Sequence, residues 1–204
     1  MHPNPAFRLR GQPEEDRALM ERLISEVGFG MIFAATPDGP RVAHTPLRST
    51  GDGAVQFHLA RGNALSRHLG GVDALAVVNG PDAYVSPRWY GDDPSQVPTW
   101  NYVALELKGP VRRMEEDGLV DLLEALSARE EARLPDPAWT MDKLEDDLRR
   151  RMLSAIVGFE MEVRAWRPTV KLSQNKNEAQ RAGVIAGLEE SGARAMAAMM
   201  RGLG

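Results

Sequence analysis

From Gly30 to Ser86 the chain passes through five extended segments, GMIFAAT, RVAHTPL, AVQFHLA, DALAVVNG and DAYVS, with only one short helical stretch, NALSRHL, among them. Residues that favour tight reversal separate the early segments: Pro37-Asp38-Gly39-Pro40 after the first, and Thr50-Gly51-Asp52-Gly53 before the third. Connections this short demand antiparallel pairing, because a parallel pair needs a crossover of a dozen residues or more. The first three segments are therefore expected to form a three-stranded meander. DALAVVNG and DAYVS are expected as two further strands, divided at Gly80-Pro81.

Helices are placed before, inside and after this run of strands. Pro13 followed by Glu14, Glu15 and Asp16 suits a first helical turn, Leu19, Met20, Leu23, Ile24 and Val27 mark one face, and Gly28 supplies a stop. Further on, Val103, Leu105 and Leu107 alternate with Glu106 and Lys108, and Phe159, Met161 and Val163 alternate with Glu160 and Glu162. That period of two belongs to half-buried strands. Between them two helices are expected in an insertion at about residues 115–153, one with Leu119, Leu122, Leu123 and Leu126 on a face, the other with Leu144, Leu148 and Met152. A tail from Asn177 to Leu203, interrupted at Ser191-Gly192, adds two short helices or one broken one. Strands first, with helices inserted and appended, define an α+β class. A chain of 204 residues can bury one substantial core, so a single domain over residues 1–204 is expected.

Composition removes several function classes. Hydrophobic residues at 43% and charged residues at 26% belong to a globular chain, and no run approaches the ~20 apolar residues of a membrane helix. The opening MHPNPAFRLRGQPEED lacks the apolar core of a signal peptide, so a cytoplasmic location is expected. Without cysteine there are no disulfides, thiolate metal sites or cysteine nucleophiles. His2, His44, His58 and His68 lack metal-ligand spacing, and no metal is expected. His44 and His58 fall on strands expected to be neighbours, where they could approach each other. A net charge of −4 argues against a broad phosphate-binding surface. The basic runs are local: Arg112-Arg113, and Arg149-Arg150-Arg151 behind Glu145, Asp146 and Asp147, a self-compensated helix face.

No GxGxxG, GxxxxGK[ST] or GxSxG occurs, which leaves dinucleotide, P-loop and α/β-hydrolase chemistry without support. Three clusters remain. In His58-Leu-Ala-Arg61-Gly62-Asn63-Ala-Leu-Ser66-Arg67 a strand ends and a short helix opens, so amides, a hydroxyl and guanidinium groups can converge on an anion. The same residues also make an ordinary capped surface helix with two solvated arginines, and spacing alone favours that plainer reading. The second cluster runs from Tyr84 through Ser86-Pro87-Arg88-Trp89-Tyr90 to Pro98-Thr99-Trp100-Asn101-Tyr102. Its aromatic faces could bound a planar ring or form a dimer contact. The third is Lys171-Leu-Ser173-Gln174-Asn175-Lys-Asn177-Glu178, where Asn175 and Glu178 have capping-box spacing and Lys171, Ser173 and Gln174 are left over.

Taken in order and spacing, HLARGNALSRHL, AYVSPRWYGDDPSQVPTWNY and VGFEMEVRAWRPTVKLSQNKNE resemble the PaiB family of FMN-binding negative transcriptional regulators. GFGMIFAATPDGPRVAHTPL fits that family's opening strands, and the resemblance covers roughly residues 1 to 190. It implies an antiparallel FMN-binding split β-barrel, related to pyridoxamine-phosphate-oxidase-like flavoproteins, that forms a homodimer with FMN at the subunit interface. Arg61, Asn63 and Ser66 would approach the phosphate and ribityl chain, and Trp100, Asn101 and Tyr102 the ring or the seam. Lys171 and Gln174 are lesser candidates, reaching the site from the other subunit. The family role is negative transcriptional regulation, although the acidic balance and the lack of a helix-turn-helix support DNA as a partner only weakly. The alternatives are an FMN-dependent oxidoreductase acting on a small molecule and a non-catalytic flavin-binding sensor, and no residue declares itself a catalytic acid or base.

Overall fold

A computed structural model describes residues 3–9 and 13–202, so His2 and Leu203 lie outside the described residues. In chain order the elements are α1 (Pro13–Val27), β1 (Phe29–Thr36), β2 (Gly39–Pro46), β3 (Arg48–Ser49), β4 (Ala54–Ala60) and β5 (Asp73–Val85). Then come β6 (Thr99–Arg113), α2 (Glu116–Glu131), α3 (Asp146–Ser154), β7 (Ile156–Glu162), β8 (Ala165–Lys171), α4 (Glu178–Glu190) and α5 (Arg194–Gly202). The α+β order expected from the sequence is present. No helix among the described residues is long and apolar enough to cross a membrane.

Chain packing separates two compact units. One holds the described residues up to Met20, residues 79–105 and those from Arg167 onward; the other holds residues 21–78 and 106–166. The strands follow the order β2-β1-β5-β6-β7-β4-β3, with β8 on β6.

In the unit of residues 21–78 and 106–166, Gly28 ends α1 with φ +68, a conformation that glycine adopts without steric cost. The β1–β2 hairpin closes on Thr36 opposite Gly39, and the Thr36 hydroxyl donates to the Gly39 carbonyl at 2.7 Å. The third strand of the expected meander does not form there. β4 pairs instead with β7 along its whole length, from Ala54 opposite Glu162 to Ala60 opposite Ile156. The chain is turned away between β2 and β3 by fully buried Leu47, whose N–H donates to Gly28 and whose carbonyl accepts from the Arg129 guanidinium. His44 therefore lies opposite Met31 and His58 opposite Gly158, on strands with different partners.

The insertion forms as α2 and α3. On α2, Leu119, Leu122 and Leu126 are buried as expected. On α3 the expected apolar face is wrong: Leu148 and Met152 are exposed and Leu153 is buried. In this nine-residue helix one leucine anchors the inner side, and the Arg150–Asp147 ion pair occupies the solvent side.

Strand β5 corrects a second expectation, since Gly80-Pro81 does not divide it. Proline's fixed φ lies within the extended region, and the backbone continues through it. The break appears in the facing: Ala74, Ala76 and Val78 are buried before it, Ala83 and Val85 after it, an odd offset that reverses the buried side.

In the other unit, β8 leads into the two tail helices. Asn177 and Gln180 form the capping box of α4, not Asn175 and Glu178. The correction follows from Ser173, whose φ of +59 turns the chain before the helix starts. Gly192, at φ +86, separates α4 from α5, and α5 buries Met196, Ala197 and Met200.

Candidate functional site

The turn after β4 gathers the first three candidates. The Asn63 side chain accepts from the Leu65 N–H at 2.9 Å and caps a 3-10 turn over Ala64–Arg67, which fully buried Leu65 anchors. The Ser66 hydroxyl lies 2.8 Å from the Asn63 carbonyl and 2.9 Å from that of Arg61, tightening the turn from within. Arg61 donates from Nε to the Ser154 carbonyl at 2.7 Å and from Nη2 to that of Ile156 at 3.3 Å. Two of its five N–H groups are thereby engaged. Neither Arg61 nor Arg67 has a carboxylate partner among the described residues, and both are exposed. Two guanidinium groups without carboxylate partners on one short, capped turn can supply charge-assisted donors to a phosphate monoester. The residues present fit the phosphate end of FMN, and Arg67 joins the expected three.

The aromatic candidates are sorted by the register of β6. Asn101, Val103, Leu105, Leu107 and Val111 share its buried face, so a period of two puts Trp100 and Tyr102 on the other. Trp100 is 53% exposed and meets the 45% exposed Tyr84 edge to face at 6.3 Å. Asn101 is fully enclosed: its Nδ2 donates to Ser173 Oγ at 3.0 Å and to the Met200 sulfur at 3.4 Å, and the Ser173 hydroxyl lies 3.2 Å from Oδ1. Trp100 is thus brought together with Tyr84, Tyr102 shares its face of β6, and Asn101 is turned away from them.

Lys171 ends β8, donates to the Thr99 hydroxyl and lies 5.7 Å over the Phe7 ring. Burial pushes its ammonium pKa below the usual lysine value. Gln174 is spent locally, accepting from the Leu172 N–H and donating to the Val170 carbonyl. In this unit sequence reasoning missed how Trp89 is held. A Cβ on Gly187 would come within 2.4 Å of its ring, and one on Gly183 within 2.2 Å of its carbonyl, so the paired glycines of α4 make a notch for it. Their spacing of four on a helix was the available signal. The adjoining loop is organised by Asp93, whose carboxyl accepts from Ser95, Gln96 and Gln180 and is drawn down to about 2.

This fold is that of flavoprotein split barrels. It is similar to the FAD- and heme-binding protein of Mycobacterium smegmatis (TM-score 0.59, 18% identity, 81% of this chain and 76% of that one). The flavocytochrome Anf3 of Azotobacter vinelandii matches with a TM-score of 0.53 and 15% identity, over 79% of this chain and 72% of that one. A family model described as "Putative FMN-binding domain" matches residues 1–165. The protease synthase and sporulation protein PAI 2 of Bacillus subtilis is 33% identical over 185 residues, 87% of each chain. The uncharacterized yeast protein YKL070W is 32% identical over 68% of this chain and 90% of its own. The chain belongs to this FMN-binding family, the PaiB family, and FMN is the family's cofactor.

Proposed function

We propose that the protein is a homodimeric, FMN-binding regulator of the PaiB type that works in the cytoplasm. The observation that carries the flavin site is the pair of guanidinium groups without carboxylate partners, Arg61 and Arg67, on the turn that Asn63 caps. In this reading Arg61, Asn63, Ser66 and Arg67 hold the phosphate end, Asn63 and Ser66 by shaping the turn. Exposed Trp100 and half-buried Tyr102, with Lys171, serve the ring and the contact between two copies, where aromatic side chains combine apolar area with low conformational cost; Gln174 contributes by fixing the chain just after Lys171. Asn101 supports that surface from behind. The regulatory half rests on the family, because the basic runs are partly neutralised: Arg112 pairs with Glu160 at 2.6 Å, and Arg150 with Asp147.

Gel shift of the FMN-loaded protein across a salt series tests the regulatory claim. A specific regulator keeps a sequence preference at physiological salt. Loss of all binding there, uniform over sequences, leaves only weak phosphate attraction and contradicts it. A second reading, an FMN oxidoreductase, is favoured by Lys171, whose proton burial loosens; flavin-dependent, saturable NADPH oxidation that Lys171→Met slows would replace the first reading.

A further inference from the structure

In the unit of residues 21–78 and 106–166, a cavity of about 480 Å³ opens between the start of β1, the end of β2, strand β4 and helix α2. Its walls are mainly apolar, from Val27, Phe29, Pro46, Leu123 and Leu126, and Phe29 stands half exposed among them. The framework is fixed by Arg129, which donates to the Leu47 carbonyl at 2.8 Å, the Gly28 carbonyl at 3.2 Å and Glu130 at 2.7 Å. A volume of this size with few polar groups is what a small-molecule pocket offers.

His58 lines the same cavity, and its imidazole is incompletely satisfied. Nδ1 is buried with no hydrogen-bond partner, so the nitrogen left on the accessible side of the ring is Nε2. A buried N–H without an acceptor is rarer and costlier than a buried lone pair. The proton therefore belongs on Nε2, which becomes a donor. Burial also holds the ring neutral by lowering its pKa. Around it stand one guanidinium, Arg129, and two carboxylates, Glu130 and Glu131, a balance that repels anions. Glu130 is tied to Arg129 and Arg133, and Glu131 accepts from the Trp139 N–H, so neither invites a cation.

We propose that this cavity binds an uncharged, mainly apolar carbonyl compound, whose oxygen accepts from His58 Nε2 and whose hydrocarbon part lies between Phe29 and Leu126. The site rests on geometry independent of the flavin reading. It also makes His58, which the phosphate-binding turn does not use, a ligand-positioning residue.

Acetophenone serves as the probe in an NMR titration of the full chain carrying 15N-histidine. The expected result is a saturable shift of the His58 Nε2 resonance in the native chain and, read by saturation transfer to the acetophenone protons, an affinity weakened about tenfold in His58→Leu, the size of one lost hydrogen bond. His58→Gln, which keeps a donor, should retain most of the affinity. Ser127→Phe, which narrows the cavity from α2, should weaken binding without touching His58. Unchanged acetophenone affinity in a folded His58→Leu protein would overturn the proposal. So would displacement of acetophenone by one equivalent of FMN, which would make the cavity part of the flavin site.

Discussion

The side chains of Asn101 and Ser173 exchange hydrogen bonds within a sealed interior, Asn101 Nδ2 donating to Ser173 Oγ at 3.0 Å and Oγ lying 3.2 Å from Oδ1. Tyr90, whose hydroxyl lies 3.4 Å from Ser173 Oγ, and the sulfur of Met200 complete the cluster. It ties β6, the segment after β8 and the last helix to one another. Ser173 reaches that position only with φ +59, a backbone conformation that disfavours any residue carrying a Cβ.

Two substitutions at Ser173 separate its two contributions. Ser173→Ala loses the hydroxyl and keeps the unfavourable φ, whereas Ser173→Gly loses the hydroxyl and relieves it. Alanine should cost about 1–3 kcal/mol in urea unfolding, and glycine less by roughly 0.5–1 kcal/mol. Equal losses would show that the backbone conformation carries no penalty.

Gly187→Ala drives a methyl into the Trp89 ring, 2.4 Å from its atoms. A destabilisation of about 1–3 kcal/mol is expected, with a change in tryptophan fluorescence as the ring leaves its notch. Gly70→Ala, where a Cβ meets nothing within 4 Å, is the matched control and should be close to neutral.

Burial lowers the pKa of His58 below its ordinary 6.5. Below that value the unfolded chain binds the proton more readily than the folded one. The group's contribution is therefore whole above about pH 6.5 and is lost as pH falls toward the folded pKa. Denaturant midpoints of the native protein should fall over that window more steeply than those of His58→Gln. Parallel curves would show that the imidazole is not held neutral by the fold.

Much of this architecture was legible in the sequence. The β1–β2 hairpin announces itself in Pro37-Asp38-Gly39, and β6 in the alternation through Val103, Leu105 and Leu107. The same alternation, extended two residues back, would have placed Asn101 inside and separated it from Trp100. What resisted reading was non-local. Pairing of β4 with β7 depends on a strand more than 90 residues away, as the contact of Arg61 with Ser154 also does. On α3, leucines at helical spacing promised a buried face, but burial there is decided by what the rest of the unit leaves uncovered. The capping box of α4 moved two residues because the turn at Ser173 used up the chain first. Of the candidate site, the turn at Arg61, Asn63 and Ser66 was readable because its geometry is local.

The central claim is that the capped turn after β4 holds the phosphate of FMN, and a visible-absorption titration with FMN tests it most directly. The native protein should perturb the flavin bands and saturate near one FMN per chain, with flavin and protein eluting together at the size of a dimer. The double variant Arg61→Ala, Ser66→Ala should bind at least about tenfold more weakly, since a charge-assisted phosphate contact is worth ~1.5–3 kcal/mol. A variant that kept its fold and bound FMN with undiminished affinity and stoichiometry would contradict the account.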